Sequence, residues 1–325
     1  ASRPHAAELT LLRCVFFGTP EFAVPSLERL AEAAEVSLVV TSPDKPVGRH
    51  ADPVSSPVAR AAAQRSLAIE RPERLRGNAA LVERLRGARP DLGVVVAYGK
   101  ILPGAILDVP RLGCLNVHAS LLPRHRGASP VQAALLAGDS ETGVSTMRLV
   151  PALDAGPVYL ERRVPIGPRE DAGSLSARLA TAGAGLLVET LAGLEKGTLL
   201  PRPQEGTPTW CRTIRREDGE ADWARPAAEL ERRLRAFTPW PGLFTFRGAE
   251  RVRILEAEAE AEAGPVGASP DPGSFRTAGG SLVVQAGENT SLLVRRLQRE
   301  GKKPVTAAEF AANAGPAGRF GGRPA

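Results

Sequence analysis

The chain opens with a strand–helix–strand pattern, and this pattern limits its possible folds more than any other feature of the sequence. The apolar run 11–17 has the length of a buried strand, residues 21–33 have helical spacing of apolar side chains, and 36–41 is a second apolar run. Because a helix separates the two strands, the pattern predicts that they pair in parallel. The alternation of strands and helices continues to residue 194, so we expect a doubly wound, Rossmann-like α/β domain.

The remaining elements of this α/β part follow from the same two periodicities. The predicted strands are 93–97, 112–118 and 144–150, and the predicted helices are 58–65, 73–86, 131–137 and 174–194. Residues 42–57 carry four prolines and one glycine, which predicts a loop.

The last third of the chain has a different pattern. A short helix is predicted at 227–236, and short alternating runs with glycine turns between them are typical of a small OB-like β-barrel. These predicted strands are 243–246, 251–255, 281–285 and 291–297. The Glu-Ala repeat at 256–263 has low complexity and predicts a solvated loop.

We therefore expect two domains joined by a linker. The linker is expected because residues 197–216 are rich in Pro, Thr and Arg and show no periodicity. The expected boundaries are 1–197 for a catalytic domain, 198–216 for the linker and 217–325 for a C-terminal β-barrel domain.

Composition favours an intracellular protein with an anionic partner. The net charge of +6 is a modest excess, which alone is not a nucleic-acid signature. Cys14, Cys114 and Cys211 lie far apart without metal-type spacing, which is typical of thiols in a reducing compartment. No stretch reaches the apolar length of a membrane span, and the first residues lack the apolar core of a secretory signal. We expect a monomeric cytoplasmic protein without a membrane partner.

Two polar side chains lie near the end of the predicted strand 112–118. Asn116 and His118 are two residues apart, so they share one face of the strand, with Cα atoms about 7 Å apart. Parallel sheets place their chemistry at such strand ends, and an amide beside an imidazole suits an oxyanion-forming reaction. Asp154 is a candidate third member, although Asp before Ala-Gly-Pro is also an ordinary turn signal. By itself His118 also fits a core histidine.

Two classes of cofactor lack their motifs in this sequence. Gly18 follows the first strand without the further glycines of a dinucleotide fingerprint, and no Gly-rich loop ends in Lys-Ser or Lys-Thr. We therefore expect the switch point of the sheet to bind something other than NAD or ATP.

Short blocks along nearly the whole chain resemble the signature sequences of a known family. They include Phe-Gly-Thr-Pro-Glu-Phe at 17–22, Ser-Pro-Asp-Lys-Pro-Val-Gly-Arg at 42–49, Val-Ala-Tyr-Gly-Lys-Ile-Leu-Pro at 96–103, Gly-Cys-Leu-Asn-Val-His at 113–118, Ser-Leu-Leu-Pro-Arg-His-Arg-Gly at 120–127, Gly-Asp-Ser-Glu-Thr-Gly at 138–143, Leu-Asp-Ala-Gly at 153–156, Arg-Ala-Phe-Thr-Pro-Trp-Pro-Gly at 235–242 and Gly-Lys-Lys at 301–303. The pattern resembles that of the folate-dependent formyltransferases. Over its full length it is similar to those members that formylate the amino group of initiator methionyl-tRNA.

The resemblance implies a catalytic site and a formyl donor. It implies that Asn116 stabilises a tetrahedral oxyanion, that His118 stabilises the oxyanion or moves a proton, and that Asp154 orients the imidazole and favours its charged form. It implies 10-formyltetrahydrofolate as the donor, with no metal expected. The residues implied for the folate are Tyr98, Gly99, Ile101, Leu102, Ser120, Leu121, Leu122 and Pro123.

The resemblance also implies two basic regions that contact the tRNA. One is the loop 42–57, which offers Lys45 and Arg49 but lacks the further lysines that the family often has there. The other is a basic run in which Glu300 is the only acid, with the members Arg295, Arg296, Arg299, Lys302 and Lys303. Such a run is also typical of a solvated face. If all five residues met phosphates, log affinity would fall with log salt concentration at a slope of about −3.5 to −4.5.

Three residues next to the site have no settled role in the sequence. Arg124 and Arg126 fit either contact with the folate tail or the RNA end, or a solvated surface. His125 stands where the family commonly has Trp, and we do not expect it to be the catalytic histidine.

Other functions stay open at this point. The same chemistry serves acceptors such as a glycinamide nucleotide, an amino sugar nucleotide or water, although the blocks at 235–242 and 301–303 favour tRNA. An RNA-binding protein without catalysis is the remaining alternative, and the intact Asn116, His118 and Asp154 argue against it.

Overall fold

The computed structural model describes residues 11–46, 53–260 and 271–321. The chain forms two compact units. The first comprises the described residues of Ala1–Pro130, Glu141–Pro165 and Ser176–Cys211, and the second those of Val131–Ser140, Ile166–Leu175 and Arg212–Ala325.

The first unit contains a seven-stranded sheet and two short two-stranded ribbons. Their strands are β1 (Arg13–Gly18), β2 (Glu35–Val40), β3 (Lys45–Pro46), β4 (Pro53–Val54), β5 (Ile69–Glu70), β6 (Leu92–Val96), β7 (Cys114–His118), β8 (Arg126–Gly127), β9 (Glu141–Arg148), β10 (Val158–Pro165) and β11 (Trp210–Cys211). The helices in this part of the chain are α1 (Val24–Ala33), α2 (Pro57–Gln64), α3 (Ala79–Gly87), α4 (Gly104–Leu107), α5 (Pro130–Ala137) and α6 (Ala172–Glu195).

The strand order of the large sheet is β10-β9-β7-β6-β1-β2-β5. The five strands from β7 to β5 are parallel, which confirms the predicted Rossmann-like α/β fold. The order reverses between β1 and β6, so the carboxyl ends of these strands flank the switch point. At the other edge β9 runs antiparallel to β7, and β10 antiparallel to β9. The sequence pattern did not reveal this direction, since buried strands look alike in either orientation.

Both faces of the central strands are covered by apolar side chains. Phe16 and Val94 belong to one hydrophobic cluster, and Phe17 and Val95 to a second one. Because successive side chains of a strand point to opposite faces, a strand that is buried on both faces needs a continuous apolar run. This requirement explains the run at 11–17.

Helix starts follow their capping residues. Ser56 Oγ accepts a hydrogen bond from Ala59 N at 3.0 Å, and α2 begins at the next residue, Pro57. The helix predicted from residue 73 begins only at Ala79, because Asn78 Oδ1 accepts from Leu81 N at 3.0 Å and so sets the N-cap there. That predicted start was wrong.

Helix α6 is, among the described residues, the one helix long and apolar enough to cross a membrane. The expectation that no stretch reaches the apolar length of a membrane span was therefore wrong for this helix. Leu187 and Leu191 of α6 are buried in the same hydrophobic cluster as Phe16. The core helix of a globular domain has the same length and composition, so packing against the sheet accounts for the apolar side chains of α6.

The second unit includes most of α5, and its described residues from Arg212 onward form a curled antiparallel sheet with two further helices. These elements are α7 (Ala227–Ala236), β12 (Leu243–Arg247), β13 (Glu250–Glu260), β14 (Ser274–Ala278), β15 (Ser281–Gln285), β16 (Ser291–Arg299), β17 (Val305–Thr306), α8 (Ala307–Ala314) and β18 (Ala317–Arg319). The strand order is β12-β13-β16-β15-β14-β18, and β17 pairs with β16.

The two edges of this sheet meet, which confirms the predicted small β-barrel. Phe246 N donates to Gly321 O at 3.1 Å, and Gly321 N donates to Phe246 O at 2.9 Å, so β12 is joined to the residues after β18. The inward side chains form one hydrophobic cluster, in which Phe275, Phe310 and Phe320 contact one another.

The prediction of a loop at the Glu-Ala repeat was wrong for residues 256–260. These residues extend β13, where Ala257 pairs with Val294 and Ala259 with Leu292 of β16. Alternation of Glu and Ala is also the period-2 pattern of a strand with one buried face. The rest of the repeat, 261–263, lies outside the described residues.

Candidate active site

Asn116 and His118 lie on the last residues of β7, at the carboxyl edge of the parallel part of the sheet. They share the face of β7 opposite to Val117, whose side chain packs in the apolar core. His118 is buried and Asn116 is half-buried. Within the described part of the chain the Asn116 amide makes no side-chain hydrogen bond. It is therefore a donor that is available to a substrate oxygen.

The His118 ring is fixed by a backbone carbonyl. Its Nε2 lies 3.0 Å from His125 O. Because a carbonyl oxygen only accepts hydrogen bonds, Nε2 carries a hydrogen. Nδ1 is then the nitrogen at which the ring gains or loses a proton, and it lies 3.8 Å from Asp154 Oδ2.

Asp154 lies in the connection from β9 to β10 and faces His118. Its carboxylate is 11% exposed, and Oδ2 accepts a hydrogen bond from Gly127 N at 2.8 Å. At 3.8 Å the carboxylate acts on the imidazole by charge rather than by a hydrogen bond. The structure thus brings the three residues predicted for catalysis to one place; their catalytic roles stay a prediction.

Burial decides the charge state of His118. Removal from water lowers the pKa of His118 below its ordinary value, and the Asp154 carboxylate raises that pKa only in part. The sequence analysis expected Asp154 to favour the charged form, and it does, but desolvation is the larger cause. His118 is therefore neutral and able to accept a proton at neutral pH.

The residues predicted for the folate divide into exposed and buried ones. Ile101 is 87% exposed, and Gly99 has a φ of +77° with open space where a side chain would lie. The Tyr98 ring is buried against Phe17, and its hydroxyl is buried without a hydrogen-bond partner among the residues that the structure describes. Burial raises the pKa of Tyr98 to about 12. After the end of β6, the groups accessible to a ligand are therefore the apolar side chain of Ile101 and the backbone near Gly99.

The other predicted folate residues follow β7 and are less accessible. Ser120 is fully buried, and its hydroxyl donates to Arg124 O at 2.6 Å. Leu122, Pro123 and Leu102 are buried, and Leu121 is half-buried. Their contact with a folate stays a prediction.

Two residues that the sequence analysis missed contact the site from the predicted linker. Gln204 Nε2 donates to Asp154 O at 2.8 Å, and Thr209 Oγ1 accepts from His125 N at 2.8 Å. Gln204 also accepts two hydrogen bonds from Arg126, which gives this arginine a structural partner. No local sequence signal points to these contacts, since they join residues that are far apart in the chain.

The predicted basic run lies on β16 and the turn after it, in the second unit. Arg295 pairs with Glu258 at 2.8 Å and Arg299 with Glu250 at 2.7 Å, both glutamates being on β13. The expectation that Glu300 is the only opposing acid was therefore wrong, because the pairing of β13 with β16 places Glu250 and Glu258 beside the run. The exposed members without an ion pair among the described residues are Arg296, Lys302 and Lys303.

The other basic region is only partly described. Lys45 is exposed on β3, and Arg49 lies outside the described residues.

Further cations and an aromatic side chain of the barrel were missed. Arg251 and Arg253 each have a buried Nε without a hydrogen-bond partner among the described residues. The Arg251 guanidinium lies 3.8 Å from the centre of the Phe244 ring. Trp240, in the block at 235–242, is 57% exposed. Arg251 and Arg253 are half-buried and Phe244 is buried, so Trp240 is the exposed side chain among these four.

Matches to two families show that this chain is a formyl transferase. Residues 12–191 match the family described as Formyl transferase, and residues 213–315 match the family described as Formyl transferase, C-terminal domain.

Similar proteins of known name show which formyl transferases this chain belongs with. The methionyl-tRNA formyltransferase of Koribacter versatilis is 46% identical over 299 residues, which cover 91% of this chain and 94% of the relative. That of Thermus thermophilus is 46% identical over 300 residues, which cover 92% of this chain and 95% of the relative. The chain belongs to the methionyl-tRNA formyltransferase family.

Solved structures share the fold at low identity. WlaRD, a sugar 3N-formyl transferase solved in the presence of dTDP and 5-N-formyl-THF, has a TM-score of 0.64 at 14% identity over 90% of this chain and 99% of that one. HypX from Aquifex aeolicus in complex with tetrahydrofolic acid has a TM-score of 0.59 at 15% identity, over 94% of this chain and 47% of that one. At these identities the likeness shows the fold alone.

Proposed function

We propose that this chain transfers the formyl group of 10-formyltetrahydrofolate to the α-amino group of initiator methionyl-tRNA. The observation that carries the proposal is the buried His118–Asp154 pair beside Asn116 at the end of β7. The identity of 46% to methionyl-tRNA formyltransferases over nearly the full length of both chains supports this acceptor. The proposal keeps the expected catalytic domain, linker and barrel, the monomeric state and the cytoplasmic location.

Attack of an amine on a formyl carbon produces a tetrahedral centre that carries an oxyanion. In this proposal Asn116 donates an amide N–H to that oxygen, which is worth about 10²–10³ in rate. His118 accepts at Nδ1 the proton that the amine loses as its nitrogen bonds to the formyl carbon, and general base action of this kind is worth roughly 10²–10⁴. The bond between the formyl carbon and N10 of the folate then breaks, and the imidazolium gives its proton to N10, so that tetrahydrofolate leaves. Asp154 stabilises the imidazolium that forms, while His125 O holds the ring by its Nε2–H.

The residues at the end of β6 fit a folate. A flat heterocycle needs an apolar side chain to lie against and backbone groups for its polar edge. Ile101 supplies the exposed apolar surface, and Gly99 leaves its backbone open to contact. The folate supplies the formyl group, and the protein binds and orients the folate.

Charge supports the barrel as the part that contacts the tRNA. Arg296, Lys302 and Lys303 are exposed cations without an ion pair in the described residues, so phosphates can approach them without displacing a carboxylate. Arg295 and Arg299 must first break their ion pairs with Glu258 and Glu250, so we propose that their contacts with tRNA phosphates are weaker. Lys45 and Arg49 are proposed as the contacts of the loop 42–57.

The acceptor is tested by offering the purified protein 10-formyltetrahydrofolate together with one of three amines. These are initiator methionyl-tRNA, glycinamide ribonucleotide and an amino sugar nucleotide. We expect formylation of the tRNA alone, measured as formylmethionine released from the product. Formylation of the sugar nucleotide or of glycinamide ribonucleotide in place of the tRNA would contradict the proposal, and tRNA binding without transfer would favour the non-catalytic alternative.

A further inference from the structure

Four residues of the predicted linker contact two segments of the first unit, which are the segment 119–128 after β7 and the connection 149–157 between β9 and β10. The four residues are Gln204, Thr209, Trp210 and Cys211, which we call the brace. β11 pairs in parallel with β8, so that Trp210 lies opposite Arg126 and Cys211 opposite Gly127. Arg126 N donates to Thr209 O at 2.8 Å, and Ala128 N donates to Cys211 O at 3.2 Å. The brace thus adds a strand to the segment that follows β7.

The brace reaches His118 through one intervening residue. Thr209 Oγ1 accepts from His125 N at 2.8 Å, and His125 O accepts from His118 Nε2 at 3.0 Å. His125 has a φ of +55°, a backbone conformation that a non-glycine residue adopts at a cost. The Thr209 hydroxyl therefore holds the N–H of His125, and the Thr209 carbonyl binds Arg126 N, which is in the same peptide unit as the His125 carbonyl that orients the His118 ring.

The brace also reaches Asp154. Gln204 Nε2 donates to Asp154 O at 2.8 Å and to Gly156 O at 2.7 Å, so both amide hydrogens are used. Gln204 Oε1 accepts from Arg126 Nη2 at 2.6 Å. Asp154 has a φ of +47°, and these contacts hold its backbone in that conformation. The backbone conformation of Asp154 determines the direction in which its carboxylate points.

Gly127 shows how closely the brace fits the segment after β7. A side chain at this position would lie 2.1 Å from Cys211 O, and the φ of Gly127 is +116°. The same residue donates its N–H to Asp154 Oδ2. The peptide that binds the Asp154 carboxylate is thus packed directly on the brace.

We propose that Thr209 and Gln204 are positioning residues of the active site. Thr209 fixes the His118 ring through the backbone N–H and carbonyl of His125, and Gln204 fixes Asp154 through the backbone carbonyl of Asp154. The proposal deepens the proposed function and rests on it for the activity measurement. It also makes a claim about the protein without substrates, which is the hydrogen bond from His118 Nε2–H to His125 O.

Thr209→Val removes the hydroxyl and keeps the shape of the side chain, and Thr209→Ser restores the hydroxyl. The matched control is Thr207→Val, on an exposed threonine of the same segment. We expect Thr209→Val to lower kcat about 10- to 100-fold, as misplaced catalytic groups do, with each KM changed less than about twofold. In the protein without substrates, NMR should show faster solvent exchange of the His118 Nε2–H. Thr209→Ser and Thr207→Val should match the wild type in both measurements.

A second pair of variants keeps the test decisive if Thr209→Val does not fold. Gln204→Met removes both donors to the Asp154 segment, and Glu205→Gln is the control at the next, exposed position. We expect Gln204→Met to lower kcat about 10-fold or more, again without a matching rise in KM.

The outcomes separate the two proposals. Wild-type kcat and wild-type Nε2–H exchange in Thr209→Val, or wild-type kcat in Gln204→Met, would overturn the positioning role. Equal losses in Thr209→Ser or Thr207→Val would also overturn it, because a general disturbance of the segment would then explain the loss. A wild-type protein that transfers no formyl group would refute the proposed function, while the exchange measurement would still test the brace.

Discussion

The two units hold their functional side chains in opposite ways. In the first unit the His118 side chain is 6% exposed, both of its ring nitrogens face a protein atom, and the surrounding loop is tied by backbone hydrogen bonds. In the second unit Arg296, Lys302 and Lys303 extend from the barrel into solvent. Proton transfer and oxyanion stabilisation need fixed groups in a dry site, whereas attraction to phosphates acts over a Debye length and tolerates mobile side chains. In the proposed function, the chemistry therefore depends on buried side chains and the RNA contact on exposed ones.

The largest effect is expected at the oxyanion donor. Asn116→Ala should lower kcat by about 10²–10³, since it removes a hydrogen bond that is strongest in the transition state. Steady-state kinetics with initiator methionyl-tRNA checks this, and the thermal midpoint shows whether the fold is kept. A rise in KM with an unchanged kcat would mean that Asn116 binds substrate and does not stabilise the transition state.

Gly127→Ala tests whether the site depends on its close packing. The new methyl group would clash with Cys211 O, and a residue with a side chain is strained at a φ of +116° by about 1–3 kcal/mol. We expect a lower thermal midpoint and a kcat reduced at least about 10-fold, because Gly127 N also binds Asp154. Gly77→Ala is the control, since Gly77 also has a positive φ but open space around it. Equal behaviour of the two variants would show that backbone strain alone explains the loss.

Arg296 and Arg295 test the barrel, since they are neighbours on β16 and, within the described part of the chain, only Arg295 of the two is paired with a glutamate. Arg296→Gln should reduce the salt slope of tRNA binding by about 0.7–0.9, the share of one phosphate contact. Arg295→Gln should reduce it by less, because Glu258 already neutralises that guanidinium. Binding measured from 50 to 200 mM salt distinguishes them. Slopes equal to that of the wild type in both variants would mean that the run is a solvated face, and equal reductions in both would contradict the weaker contact assigned to Arg295.

The smallest effect is a pH dependence set by His118. Burial lowers its pKa below the free value of about 6.5, so kcat/KM should fall with acid only below that pH. The unfolded chain then binds more protons than the folded one, so the free energy of unfolding falls as pH drops below about 6.5. His118→Gln should lose this part of the pH dependence in denaturant titrations. An acid limb above pH 6.5 would mean that Asp154 outweighs burial.

The sequence pattern predicted the elements that carry the site. The period-2 reading of 112–118 placed Asn116 and His118 on one face of β7, and the apolar run at 11–17 required a central strand. Strand direction at β9 and the extension of β13 through Glu260 were not predicted, because a period-2 pattern indicates neither direction nor a partner strand.

Long-range contacts set the rest of the site. Gln204, Thr209 and Cys211 contribute through hydrogen bonds to backbone atoms of the loop after β7 and of the connection after β9. Any backbone carbonyl can accept such a bond and any backbone N–H except that of proline can donate one, so the residues that supply the backbone atoms leave no signal in their side chains. The pairing of Arg295 with Glu258 was missed for a related reason, since it requires the register of two strands.

We propose that the first unit carries the chemistry and the second unit binds the tRNA. This proposal is tested most directly by kcat and KM for initiator methionyl-tRNA in two variants. We expect His118→Ala to lower kcat by roughly 10²–10⁴ with little change in KM, because it removes the proton acceptor. The double variant Lys302→Ala, Lys303→Ala should raise KM several-fold and leave kcat within about twofold of the wild type. A large loss of kcat in the barrel variant, or wild-type kcat in His118→Ala, would contradict the account.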